Sequence, residues 1–162
     1  MSVRSPARSL GCVNPRVADE FFRSDAPADV QATGAWLLAN GYALSSQSGE
    51  GAFGAEFVIR GPAEVRITVD RSQWLLDVAA EPGAEAWQYD LLLAARSGRT
   101  YGEVFPARAS TQFDGALPYQ LPEGVSWRQT LPVVLSWVRD PGVGAAVERA
   151  SRERFTLMWP RR

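Results

Sequence analysis

The most regular pattern of apolar and polar positions in the chain is EVRITVD, Glu64 to Asp70. Val65, Ile67 and Val69 fall on one side and Glu64, Arg66, Thr68 and Asp70 on the other. That period of two marks a strand with one dry and one wet face. RSQ makes a turn, and WLLDVAA resumes with Trp74, Leu76 and Val78 on one side and Leu75 and Asp77 on the other. Upstream, FGAEFVIR puts Phe53, Ala55, Phe57 and Ile59 together, and Gly61-Pro62 ends the run. Connections this short make neighbouring strands antiparallel, because a parallel crossover needs roughly a dozen residues. The pattern predicts a three-stranded meander with one apolar face. Tyr42 and Leu44 add a short lead strand before SSQSGEG, which reads as a loop.

Helical spacing surrounds the meander. Asn14 and Pro15 suit an N-cap and first turn for a short helix over about Pro15 to Arg23. In DAPADVQATGAWLLANGY, Val30, Thr33 and Leu37 make a stripe, with Asp25 or Asp29 at the start and Asn40-Gly41 at the stop. EPGAEAWQYDLLLAARSG is predicted as the helix that covers the meander, with Trp87, Leu91, Ala94 and Ala95 inward and Gly98 as its end. SWRQTLPVVLSWVRD has two possible starts, a capping box at Ser126 and Gln129 or a later start at Thr130 that places Pro132 in the first turn. Asp140-Pro141 reads as N-cap and first residue of a last helix, with Val143, Val147 and Ala150 inward. TLMWP after it is a final strand or an extended tail.

The outline is an α+β fold: an antiparallel meander of three to five strands with helices packed on one face. Residues 1–13 read as a flexible lead-in and 14–162 as a single domain. Residues 99–126 fit least well, since a structureless loop of that length is uncommon in a compact domain. YGEVFP and ALPYQL are candidate short strands there, and the alternative is a functional loop.

Composition narrows the chemistry. With 46% hydrophobic residues and six Trp, 162 residues can build a real core. The net charge of −1 gives no electrostatic case for nucleic acid or a membrane surface as partner. All 17 basic residues are Arg; His and Lys are absent. That removes an imidazole base, a His-containing triad, a His metal ligand, a Schiff base and a Walker phosphate loop. Cys12 is the only cysteine, so no intramolecular disulfide forms, which suits a reducing cytoplasm. The N-terminal stretch lacks the apolar run of a secretory signal. No metal or cofactor motif is present, and GEGAFG precedes a strand where phosphate binding needs glycines after one.

Four constellations remain. Asp70 and Asp77 flank a turn. Arg60, Arg66 and Arg71 could bind an anion, but Glu56, Glu64 and Asp70 are interleaved with them. The C-terminal ERASRERFTLMWPRR is rich in Arg. Tyr101, Phe105, Phe113 and Tyr119 gather in a Pro/Gly-rich stretch, where aromatics can enter a partner or staple the segment to the core. The reading that follows is a non-enzymatic protein-binding module, a monomer or homodimer, with no cofactor. Its binding residues would be Glu64, Arg66, Thr68 and Asp70 on the strand face, with Tyr101, Phe105, Phe113 and Tyr119.

Three stretches, AWLLANGYALS, AEVRITVDRSQWLLDV and WQYDLLLAARSG, resemble small actinobacterial immunity proteins of polymorphic toxin systems. The resemblance covers about the central 60 residues. It implies a cytoplasmic protein that binds and neutralises a cognate toxin. The same helix, meander and helix also resemble the secretion-chaperone fold, which implies an adaptor binding a client protein, commonly as a dimer. A small-molecule binder or a His-independent enzyme is the third reading.

Overall fold

The structure is a computed structural model that describes residues 26–49, 54–70, 73–106 and 125–159. The elements run α1 (Ala28–Ala39), β1 (Ala43–Ser48), β2 (Ala55–Arg60), β3 (Glu64–Asp70), β4 (Gln73–Ala79), β5 (Ala86–Gln88), α2 (Tyr89–Ser97), α3 (Tyr101–Val104), α4 (Trp127–Trp137) and α5 (Val143–Met158). The five strands form one antiparallel sheet in sequence order. This is the predicted α+β meander at its five-strand limit.

The alternation sets the register. Ile59, Val65 and Val78 lie side by side, as do Phe57, Ile67 and Leu76. All six are buried and join one core with Leu37 of α1, Leu92 of α2, Leu131 and Val134 of α4, and Val147 of α5. The helices therefore cover the Val65 face. Gly61 in the β2–β3 turn leaves room for this packing, since a Cβ there would come within 2.7 Å of the Tyr42 ring.

Several elements differ from their predicted form. Ser45 to Ser48, expected as loop, belong to β1, which carries an irregularity between Leu44 and Ser46. β2 begins at Ala55, and Phe53 lies outside the described residues. Trp87 sits on a strand and not in the helical stripe. Ala86–Gln88 pairs with Asp77–Ala79, and α2 starts only at Tyr89. The cause is local: EPGA turns the chain back along β4, with Gly83 at φ +85, before the helical spacing begins.

YGEVFP is not a strand. Thr100 and Glu103 form a capping box around the single turn of α3, with the Thr100 N–H and Oγ1 both 2.8 Å from the Glu103 carboxylate. Of the two starts offered for α4, Ser126 is the one used; its hydroxyl accepts the Gln129 N–H at 3.0 Å, and Pro132 falls inside the helix. α5 begins after Gly142 (φ +89), so Asp140 and Pro141 form the preceding turn and not the cap. α5 then runs through TLM to Met158. The proposed helix at 15–23, the lead-in at 1–13 and the ALPYQL strand lie outside the described residues.

Long-range polar contacts tie the helices together. Asp29 lies in the first turn of its own helix, where the sequence places an acid, but it makes no cap there, the N-cap being Pro27. Its carboxylate instead accepts the Trp127 and Arg128 N–H groups at 2.6 and 3.3 Å, and so caps α4 from α1. The Tyr89 hydroxyl lies 2.6 Å from Thr130 Oγ1, joining α2 to α4, and burial holds that phenol well above its usual range. Arg154 of α5 reaches buried Asp90 of α2 at 3.0 Å, and Tyr101 of α3 donates its hydroxyl to the same carboxylate at 2.6 Å.

The open face of the sheet as candidate functional site

Among the described residues the helices cover the Val65 face, so the other face of the same strands is the candidate surface. Its side chains fall into cross-strand rows. Arg60, Glu64, Ala79 and Ala86 make the first, Ser46, Val58, Arg66, Asp77 and Gln88 the second, and Ser48, Glu56, Thr68 and Leu75 the third. Val58 and Ala79 are buried, yet neither belongs to the hydrophobic core. With Glu64 they form a shielded layer within this face.

Glu64 anchors that layer. Its side chain has no exposure. Its carboxylate accepts Arg60 Nε at 2.7 Å through one oxygen and Arg66 through the other, with the Gly83 N–H adding a third donor at 3.3 Å. The cover is shallow, because it consists of two guanidinium groups that are themselves 49% and 33% exposed. Burial alone would raise the carboxyl. The bonds from Arg60 and Arg66, the charge of Arg66 and the Gly83 amide outweigh it, and Glu64 titrates below the usual glutamate range.

The sign of the linkage follows. With its pKa lower folded than unfolded, Glu64 stabilises the fold above about pH 4.5, the ordinary value. That contribution fades as the pH falls through the folded value. Glu64→Gln is expected to cost about 1 kcal/mol at neutral pH, since solvent screens both partners. It should also flatten the stability profile below pH 4.5. Urea midpoints measured across that range would check this, and parallel profiles for the two proteins would refute it.

Asp77 is the opposite case. It stands across from Arg66 on one side and Gln88 on the other. Arg66 directs its guanidinium to Glu64, and among the described residues Asp77 has no hydrogen bond or ion pair. Burial chiefly, then the charges of Asp90 and Glu56, push its carboxyl up against the opposing pull of Arg66. Next to it, Gln88 Oε1 is buried without a donor.

The predicted site residues thus divide. Arg66, Thr68 and Asp70 are on the open face, Arg66 and Thr68 half-buried and Asp70 exposed. Glu64 is on it too but is consumed by two arginines, so it organises the face and offers nothing to a partner. Asp70 pairs in register with Gln73 and not with Asp77, which separates the proposed carboxylate pair. Arg60 and Arg66 share the single Glu64 carboxylate, so both guanidinium groups are engaged by it although the trio keeps one net positive charge, which weakens the anion-binding reading; Arg71 lies outside the described residues. Tyr101 and Phe105 are core residues, 0% and 3% exposed, with their rings stacked at 4.8 Å. They staple α3 down and are closed to a partner. Phe113 and Tyr119 lie outside the described residues. Asp77, read from sequence as the partner of Asp70, stands instead beside Gln88, which pattern reading passed over; the pairing of β4 with β5, hidden in the EPGA turn, is what brings them together.

Among the described residues no three acidic or cysteine side chains converge as metal ligands, and no helix is long and apolar enough to cross a membrane. No family model, curated protein or solved structure matches the chain.

Proposed function

We propose that this chain is a non-enzymatic protein-binding module, and specifically an immunity protein that neutralises a cognate bacterial toxin in the cytoplasm. The observation that supports the reading is the two-sided sheet. One face is sealed by helices, while the other presents Arg66, Thr68, Leu75 and Asp77 in register on a rigid frame. A flat face of mixed charge and small apolar patches suits protein recognition, where charge complementarity sets specificity. The resemblance of the central region to immunity proteins supplies the biological role.

The test is co-expression with the product of the adjacent gene. The neighbour alone should arrest growth, and this chain should restore it through a one-to-one complex. Thr68→Arg, which adds bulk to the face without touching the core, should abolish protection while leaving the melting temperature within a few degrees. A harmless neighbour, or a toxic one that this chain neither binds nor blocks, refutes the assignment.

A further inference from the structure

We infer that the open face of the sheet receives a cationic polypeptide surface, one that inserts an Arg or Lys side chain between Asp77 and Gln88. This deepens the protein-binding reading and rests on it. The first argument is the disposition of charge. The face and its β4–β5 turn carry Glu56, Glu64, Asp70, Asp77, Glu81 and Glu85 against Arg60 and Arg66, with Arg139 at the rim bonded to the Ala80 carbonyl at 2.9 Å. Both face arginines end on Glu64. Glu56, Asp70 and Asp77 are left without an ion pair among the described residues. An acidic partner would meet carboxylates and find the two guanidinium groups already engaged.

The second argument is independent of net charge. Gln88 Oε1 is an acceptor without a donor and is closed to water, so its amide must turn toward the face to meet an incoming donor. It is opposite Asp77 in the β4–β5 register, and Asp77 lacks a donor as well. Neighbouring strands stand about 4.8 Å apart. A guanidinium, with its planar fork of N–H groups, can donate to a carboxylate and an amide oxygen carried on adjacent strands. The ground around them fits the rest of such a side chain: half-buried Leu75, two residues before Asp77 on the same face, offers apolar surface for its methylene stem. A bare divalent cation fits poorly, since no three ligands converge here.

The test uses the full chain, isotope-labelled for amide NMR, and two synthetic probes, a short Gly-Arg repeat peptide and its Gly-Glu counterpart. The Gly-Arg peptide should saturate below about 1 mM, shifting the amides of Glu56, Thr68, Leu75, Asp77 and Gln88, and should weaken with added salt. Asp77→Asn should reduce its affinity about tenfold. The same substitution should leave the melting temperature unchanged or slightly raised at neutral pH, because it removes a carboxylate whose charge the fold disfavours. Lost binding in a protein of equal or higher stability separates a site residue from a structural one. Glu56→Gln provides a second variant, with a smaller loss expected.

The inference is overturned if the Gly-Arg peptide does not saturate, if its shifts fall on the helices, or if the Gly-Glu peptide binds equally well. The cognate partner separates this inference from the reading beneath it. A partner that docks on this face through acidic or neutral side chains overturns the cationic assignment and leaves the protein-binding role standing. A partner that docks elsewhere overturns both uses of the face.

Discussion

Arg154→Met is expected to lower stability by about 3 kcal/mol or more, read as a shift of the denaturation midpoint with an unchanged slope. The Asp90 side chain is 1% exposed and Arg154 16%, so their ion pair is shielded from solvent, unlike those on the sheet face. Arg154 Nη1 lies 3.0 and 3.4 Å from the two Asp90 oxygens, and the Tyr101 hydroxyl is 2.6 Å from one of them. These three residues come from α5, α2 and α3, so the network joins three helices. Methionine keeps the apolar stem but takes the charge partner from a carboxylate held out of water. The double variant Asp90→Asn with Arg154→Met should regain a large part of the loss, because the buried charge is gone. A single variant within about 0.5 kcal/mol of the parent would show that the pair contributes nothing to folding.

The second large effect contrasts two neighbours in β3. Ile67→Ala is expected to cost about 2–5 kcal/mol, as for other aliphatic side chains deleted from a dry core. Ile67 is fully buried, with Phe57 and Leu76 beside it in register. Thr68→Ala, one position on, removes a half-buried side chain from the opposite face and is expected to cost below about 1 kcal/mol. Since a one-residue shift of register would exchange the two faces, equal losses at the two sites would contradict the observed pairing. Under the proposed function the ranking inverts for the partner: Thr68→Ala weakens the complex more than it weakens the fold.

What the sequence made legible follows from how local each signal is. The alternation in β3 and β4 determined which side chains face inward, and Val65, Ile67, Val69, Leu76 and Val78 are all buried in the core. The stripes Val30–Thr33–Leu37 and Leu131–Val134 survive for the same reason. Period alone failed at Trp87, because three residues are too few to distinguish a strand from the first turn of a helix. It failed again at YGEVFP, where an apolar–polar mixture suggests a strand although Thr100 and Glu103 carry a capping box in plain view.

The open face was only half legible. Pattern placed Arg66, Thr68 and Asp70 outside, but the fate of Glu64 depends on Arg60 across a turn and on Gly83 from another loop. Asp29 capping a helix nearly a hundred residues away leaves no trace in local sequence at all. Such contacts are products of the tertiary arrangement, and no window along the chain contains both partners.

The two borders of the sheet are unequal, and this limits how copies of the chain can associate. β5 is three residues long and passes directly into α2, a short edge of the kind that resists strand addition. β1 is six residues of Ala, Leu, Ser and Gln, without charge or proline, and among the described residues its groups bond only to β2. Among the described residues that leaves one extendable border, and a molecule of that kind behaves as a chain terminator in polymer growth. Two copies that join border to border use up both open edges, so edge-to-edge association ends at a pair and cannot propagate into a fibre.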